Sequence, residues 1–279
     1  MTVLIVGGTG MVGRAIQAEC IRNHPSITVL TASSRSSYPH RLDCNNPCTI
    51  KDQLSSIVEL AGIDLVAQAQ TPGDGRWCAT HPGATFRVIV DAAAEINDCC
   101  RRYSIPNVLL STGSVFEGNL VESDGPYSPE DIPLPLSTYA RSKWLAEKLT
   151  DGPIVRFGTY GIDYHRPKFY SRVYQSISQG LCRQFSCADD SWVSPVHVGD
   201  VAVSVIETMV KTLDGAPSAR QIVHLTSGLR ETVYDWATRL AGEHEYPPDL
   251  IQRRAPSAPA TDVSLARPLV SDPVGMDLP

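Results

Sequence analysis

Along the first two-thirds of the chain, short continuous apolar runs alternate with longer stretches whose apolar residues recur at helical spacing. The runs "VLIV" (3–6), "ITVLTA" (27–32), "IDLVAQA" (63–69), "NVLLSTGS" (107–114), "PIVRFG" (153–158) and "QIVHLTS" (221–227) read as strands. Between them, 11–23, 50–62, 84–105 and 138–149 read as helices, with stop signals at Gly62, Pro106 and "DGP". Strands that are apolar at nearly every position are buried on both faces, which is the condition of a parallel sheet covered by helices on both sides. The pattern predicts an α/β chain built on a Rossmann-type, doubly wound parallel sheet. The rhythm breaks at 159–195. After 228 a helix pattern, "TVYDWATRLAGE", gives way to a proline-rich tail. These two stretches are expected to fold together as a smaller C-terminal substrate lobe over the strand C-termini, where ligands of open α/β sheets bind.

The glycine turn gives the sheet a purpose. "VGGTGMVGRAI" places Gly7, Gly8, Gly10 and Gly13 directly after a strand and at the opening of a helix. In that context the pattern is a dinucleotide-binding turn. One glycine permits the tight turn, Gly10 lets the backbone approach a diphosphate, and Gly13 permits close helix–strand packing. The free N–H groups and the positive end of the helix then face the phosphates, and Gly7, Gly10, Met11, Val12 and Gly13 are taken as cofactor-binding. The second strand ends in "LTASSRSS", without a carboxylate to hold ribose hydroxyls. Ser33, Ser34, Arg35 and Ser36 suit a 2′-phosphate instead, with Arg14 as a second charge, so NADP(H) is favoured over NAD(H). The same residues could also be an exposed polar loop. Asp43 is expected to accept from the adenine amine. The dinucleotide-binding domain is accordingly drawn at 1–158, with 193–227 returning to it, and the smaller lobe at 159–192 and 228–279.

Composition narrows the partners. The chain has 279 residues, 42% apolar and 19% charged, with a net charge of −6. That charge argues against a nucleic-acid or membrane-surface binder. No apolar run reaches the roughly 18–20 residues needed to cross a bilayer. "MTVLIVGGTG" has no basic start and leads straight into the glycine turn, so a cytoplasmic location is expected. Eight cysteines at irregular spacings match no zinc or disulfide framework, so reduced thiols and no metal site are expected.

In "STYARSKWLAEK", Tyr139 and Lys143 stand four apart on one helix face, close enough for an ammonium to favour a phenolate. Alone, such a pair is a common accident. With the glycine turn, "STGSVFEG" (111–118), "YARSK" (139–143), "VRFGTYG" (155–161) and "VSPVHVGDVA" (193–202), the chain resembles an extended short-chain dehydrogenase/reductase. The likeness spans about residues 1–230. "STGSVFEG" and "ARPLVSD" in the tail are most similar to the dTDP-4-dehydrorhamnose reductase branch of nucleotide-sugar 4-ketoreductases, which also contains non-catalytic relatives. The resemblance implies a catalytic set of Thr112, Tyr139 and Lys143, with Tyr139 and Lys143 also contacting the cofactor. Ser111 and Ser114 are weaker candidates for the role of Thr112. It further implies NADPH-dependent reduction of a 4-keto nucleotide sugar, with Lys143 lowering the Tyr139 pKa.

Departures from the family pattern are Gly113, where the branch carries Asp, Ile89, where the family carries Asn, and the unusual loop 68–83. They leave room for a non-catalytic NADP-binding regulatory subunit; an NAD-bound nucleotide-sugar epimerase is a separate alternative, against which the missing carboxylate after the second strand argues. "YHRPKFYSR" (164–172) brings His165, Arg166, Lys168 and Arg172 near aromatic residues. That suits a diphosphate and a nucleobase, or equally a solvated loop. Arg166, Lys168 and Arg172 are taken as substrate-binding. Arg267 matches a family position without a derivable mechanism. His197, Trp77 and Trp192 are read as structural. The partner is a small molecule, with a homodimer possible.

Overall fold

The structure is a computed structural model that describes residues 1–34, 38–118, 126–163, 168–181, 183–215, 220–254 and 261–262. In chain order the first half holds β1 (Thr2–Val6), α1 (Met11–Asn23), β2 (Thr28–Ser33), β3 (His40–Arg41), α2 (Ile50–Ala61), β4 (Leu65–Gln68), α3 (Gly75–Thr80), α4 (Pro82–Phe86), α5 (Ala92–Tyr103), β5 (Asn107–Leu110), α6 (Thr138–Leu149) and β6 (Ile154–Tyr160). The second half holds α7 (Phe169–Ser178), β7 (Phe185–Ala188), β8 (Ser191–Val193), β9 (Pro195–His197), α8 (Val198–Leu213), β10 (Ile222–Leu225), β11 (Glu231–Thr232), α9 (Val233–Glu243), β12 (Ile251–Arg254) and β13 (Thr261–Asp262).

The main sheet runs β10-β6-β5-β4-β1-β2-β3, with β9 added to the end of β6, and every pairing in it is parallel. Strand β1 shows why. Val3 and Ile5 pack on one face with Ile16 of α1 and Val201, Val205 and Met209 of α8. Leu4 and Val6 pack on the other with Leu54 and Ile57 of α2 and Ile96 of α5. Alternate side chains of a strand face opposite ways, so a run that is apolar throughout needs a helical layer on each side. The strand order reverses between β1 and β4, and the crevice of a doubly wound sheet opens there, at the strand C-termini.

A third apolar cluster joins Val173 and Ile177 of α7 to Cys187 of β7 and to Trp236 and Leu240 of α9. Around it lie a three-stranded sheet, β11-β8-β13, and a two-stranded one, β12-β7. Strands this short carry no readable period, so none was foreseen within 159–195. The expected helix at 84–105 is broken by a π turn at Arg87–Asp91. Val88, Ile89 and Val90 are consecutive and all buried, and they serve two different clusters. The expected loop 68–83 contains α3, whose N-cap Asp74 accepts from the Trp77 N–H at 2.8 Å. Among the described residues no helix is long and apolar enough to cross a membrane, and no cluster of His, Cys, Asp and Glu could hold a metal ion.

One buried polar network ties α6 to the sheet. Arg156 of β6 makes a two-pronged pair with Glu147 of α6, Nη2 to Oε2 at 2.8 Å and Nε to Oε1 at 3.0 Å. The Ser111 hydroxyl donates to Glu147 Oε1 at 2.5 Å. His224 of β10 lies 3.5 Å from Arg156 Nη1 through Nε2 and 3.2 Å from the Tyr127 carbonyl through Nδ1. A neutral imidazole protonated on Nδ1 satisfies both contacts. Burial first, and then Arg156, push the His224 pKa down to about 4.

An unfolded chain therefore takes up the His224 proton near pH 6.5, before the folded one does, and stability falls as pH drops from about 6.5 toward 4. The full difference corresponds to about 3 kcal/mol. In urea unfolding at pH 7 and pH 4, His224→Gln is expected to lose about that much less than the wild type over the same interval. An equal loss in both proteins would show that His224 does not carry this sensitivity.

Candidate active site

At the end of β1 the chain turns through Gly7 with φ +81°. A Cβ on Gly7 would lie 2.8 Å from Gln70 Cα, and one on Gly13 would lie 2.4 Å from Gly8 Cα. Both glycines are thus required by close backbone approach. Gly10 differs. It is exposed, and a Cβ there would meet nothing nearer than the Gly7 carbonyl at 3.4 Å. As N-cap of α1 it offers no side-chain bond, and no acidic residue stands in the first turn. The N–H groups of Met11 and Val12 have no intrahelical acceptor. The turn therefore faces outward with bare backbone donors and the positive end of α1.

Ser33 ends β2, and its carbonyl accepts from Leu42 N at 3.0 Å. Ser34 beside it is exposed, while Arg35 and Ser36 lie outside the described residues. Arg14 donates from Nε to the Thr9 carbonyl at 2.9 Å, beside the glycine turn. Asp43 follows β3. Its Oδ1 accepts from Asn45 N and Nδ2, both at 3.1 Å, so one oxygen is spent on a local turn.

Thr112 follows β5, and Tyr139 and Lys143 rise from the first turns of α6, whose N-cap Ser137 accepts from Ala140 N at 3.1 Å. Thr112 is 7% exposed. Its Oγ1 accepts from Ser114 N at 3.2 Å, and its hydroxyl hydrogen-bonds Tyr139. Lys143, 4% exposed, donates to the carbonyls of Gln70 at 3.3 Å and Leu110 at 3.0 Å. Those carbonyls stand at the ends of β4 and β5, so the three predicted residues meet at the C-terminal edge of the sheet.

Their electrostatics differ from expectation. Tyr139 is pushed up to about 12, first by burial and then by nearby Cys78, with the Thr112 bond opposing. The expected lowering by Lys143 is not among the influences on Tyr139, and the Lys143 ammonium donates to two strand carbonyls instead. Lys143 is itself pulled down to about 8, first by burial and then by Lys168, against Glu147 and Cys78.

Two further groups enter the site. Lys168, the N-cap of α7, places Nζ 6.0 Å from the Tyr139 ring centre. It is open to solvent yet closely surrounded, and burial lowers its pKa against Cys78, Asp74 and Asp163. Cys78 of α3 is fully buried and within electrostatic reach of Tyr139, Lys143 and Lys168. Nothing in the sequence signalled Cys78, since α3 is too short to show a period.

The other predicted residues divide. Arg172 is exposed on α7, and Arg166, His165 and Arg267 lie outside the described residues. The Ser111 hydroxyl is committed to Glu147, so it does not stand in for Thr112. Ile89 is packed in a core cluster with Leu109, Ala146 and Ile154. His197 Nδ1 accepts from Gly199 N at 3.2 Å, capping α8, as its structural reading requires. Trp77 stacks on His81. Trp192 carries Arg230 over its ring and, with Phe169, Tyr170 and Arg254, lines a cavity of about 320 Å³.

A dinucleotide fits what is present. Gln70 is buried beside Gly7, and its Oε1 has no hydrogen-bond partner among the described residues. An unsatisfied buried acceptor costs about 1–3 kcal/mol, so this one suits a donor brought by a ligand, such as a ribose hydroxyl. The bare donors around Gly10 suit the diphosphate.

The family model for the RmlD substrate binding domain matches residues 1–272. A probable low-salt glycan biosynthesis reductase of Haloferax volcanii is 22% identical over 227 residues, covering 77% of this chain and 73% of that protein. Methionine adenosyltransferase 2 subunit beta of Bos taurus is 24% identical over 266 residues, covering 88% and 72%. A crystal structure of dTDP-4-dehydrorhamnose reductase from Bacillus anthracis in complex with NADP is similar with a TM-score of 0.76 at 16% identity, over 95% of this chain and 90% of that one. At that identity the likeness is one of fold.

With its pKa near 12, the Tyr139 phenol is expected to stay protonated through the range in which an ordinary tyrosine, of pKa about 10, ionises. Ultraviolet difference titration of the wild type against Tyr139→Phe tests this in the ligand-free protein. A Tyr139 phenolate at or below about pH 10 would contradict it.

Proposed function

Because this chain belongs to the RmlD substrate binding domain family, we propose that it is an NADPH-dependent reductase of a ketone from the class of 4-keto nucleotide sugars. The observation that carries this reading is the meeting of Thr112, Tyr139 and Lys143 at the sheet edge, in the same crevice as the bare turn at Gly10. The segments 1–158 and 193–227 would hold the dinucleotide, and 159–192 with 228–279 the sugar.

The bound dinucleotide would supply the hydride. The N–H groups of Met11 and Val12 would hold its diphosphate, with Gly10, whose own N–H donates to the Gly7 carbonyl, permitting close approach. Ser33, Ser34 and Arg14 would receive the 2′-phosphate, joined by Arg35 of the same segment, which lies outside the described residues, and the sequence carries no carboxylate at the end of β2 to oppose it. Asp43 retains one carboxylate oxygen for the adenine amine. Thr112 donates to the substrate's carbonyl oxygen and stabilises charge as it develops there. In the reduction the Tyr139 O–H bond would break and its proton would pass to that oxygen. A phenol with a raised pKa carries its proton at neutral pH, which is the form a donor needs. Lys143, one turn along α6, is the cation the family places beside the resulting phenolate. Solvent then returns the proton.

A second reading is a regulatory subunit that binds NADP without turnover. It is favoured by the engagement of Lys143 with strand carbonyls instead of the phenol.

The two readings separate on NADPH oxidation against a panel of 4-keto nucleotide sugars and simple ketones. For a reductase, Tyr139→Phe is expected to lower turnover by about 10²–10⁴-fold, with NADPH affinity nearly intact. A wild type that binds NADPH and reduces no member of the panel would favour the regulatory reading. Undiminished turnover in Tyr139→Phe would remove Tyr139 as the donor.

A further inference from the structure

Met11 is where the glycine turn touches α7. It is the first residue of α1, directly after Gly10, and its N–H has no intrahelical acceptor. Its half-buried side chain meets a different part of the chain. The Ser171 hydroxyl of α7 donates to the Met11 sulfur at 3.5 Å, and Ser171 is 2% exposed. Gly161, just past β6, closes the same junction. A Cβ there would lie 2.4 Å from Val198 Cγ1 and 3.8 Å from Met11 Sδ. Without that side chain, the start of α8 presses against the end of β6 beside the thioether. The first turn of α7 has no side-chain cap and no acidic residue to complement its dipole. Farther along, Val173 and Ile177 pack with β7 and α9. The start of α7 is thus held to the glycine turn through Ser171 and Met11.

We propose that Met11 is a positioning residue that couples dinucleotide binding at the glycine turn to the start of α7, so that cofactor loading prepares the segment assigned above to the sugar. The proposal rests on the dinucleotide reading of the turn and not on the chemistry at Tyr139. One residue serves both places. A phosphate oxygen on the Met11 N–H fixes its backbone and with it the direction of its Cα–Cβ bond. The thioether, flexible and adaptable while the turn is empty, loses freedom, and Ser171 loses it too. Freedom given up when the first ligand binds is not given up again for the second, which is positive coupling without any new contact. Such coupling is reciprocal. The loaded protein binds its ketone more tightly than the empty one, and the ketone tightens NADPH by the same factor.

Hydrogen–deuterium exchange read by mass spectrometry, with and without saturating NADPH, tests the joint without a ketone. It compares the wild type with Met11→Ala, Met11→Leu and Ser171→Ala, each checked for folding by thermal melting. In the wild type NADPH is expected to slow exchange across residues 7–14 and, by about fivefold or more, across α7. Met11→Leu conserves the bulk and is expected to keep most of the α7 response. Met11→Ala is expected to lose it while the turn, whose N–H groups are unchanged, stays protected. Ser171→Ala removes the donor to the sulfur and is expected to weaken the response, which keeps the test decisive should Met11→Ala not fold. A purely structural Met11 would leave α7 looser in Met11→Ala with and without NADPH alike, with the ratio between the two states unchanged. That result would overturn the proposal, as would a wild-type α7 indifferent to NADPH beside a protected turn. A wild-type turn that NADPH does not protect would overturn the cofactor reading and the proposal together. A Met11-dependent response in a protein that reduces no ketone would sustain the proposal and count against the reductase reading alone.

Discussion

The pair formed by Arg156 and Glu147 is the joint on which the site hangs. Glu147 lies one turn beyond Lys143 on α6, and Arg156 lies in β6 with almost no exposure. Two charges in so dry a place are tolerated only if nearly every donor and acceptor is met. Here two prongs join the pair, Ser111 adds a third bond to the carboxylate, and Phe116 covers the guanidinium at 5.1 Å. The result fixes the height and rotation of α6 against β5 and β6. Tyr139 and Lys143 inherit their places from that constraint, and Thr112 inherits its place as the neighbour of Ser111. Removing one partner of such a pair strands a buried charge at a cost of about 3–5 kcal/mol.

The same low-dielectric setting explains why the charges of the site depart from simple expectation. Spacing along a helix puts Tyr139 and Lys143 on one face, and a nearby ammonium should favour the phenolate. The ends of β4 and β5 nevertheless offer carbonyl oxygens closer to the ammonium than any competing anion. Burial then becomes the leading influence on both groups, raising the phenol and lowering the amine. The site is poised as a protonated phenol beneath an open cation, Lys168, which belongs to a different part of the chain.

Two of the departures from the family pattern lie in the segments that lead up to and into α5. Ile89 falls within the π turn at Arg87–Asp91, and π turns collect at functional places in helices. The segment before it folds as α3, which carries Cys78 toward Tyr139.

The sequence by itself determined the layered sheet, because strands that are apolar on both sides have no other stable environment than two helical covers. It also determined the glycine turn, where close approach at Gly7 and Gly13 excludes a side chain, and the shared face of Tyr139 and Lys143, since helical geometry is local. Gly62 closing α2 was legible for the same reason. Only the tertiary structure decided that Lys143 would hold the strand carbonyls, that Ser111 would serve Glu147, and that Cys78 and Lys168 would gather at Tyr139. These depend on which segments meet across the crevice and on how far their polar groups are removed from water. No periodicity records either quantity, since it reports the facing of each residue within its own element and nothing of what that face will touch.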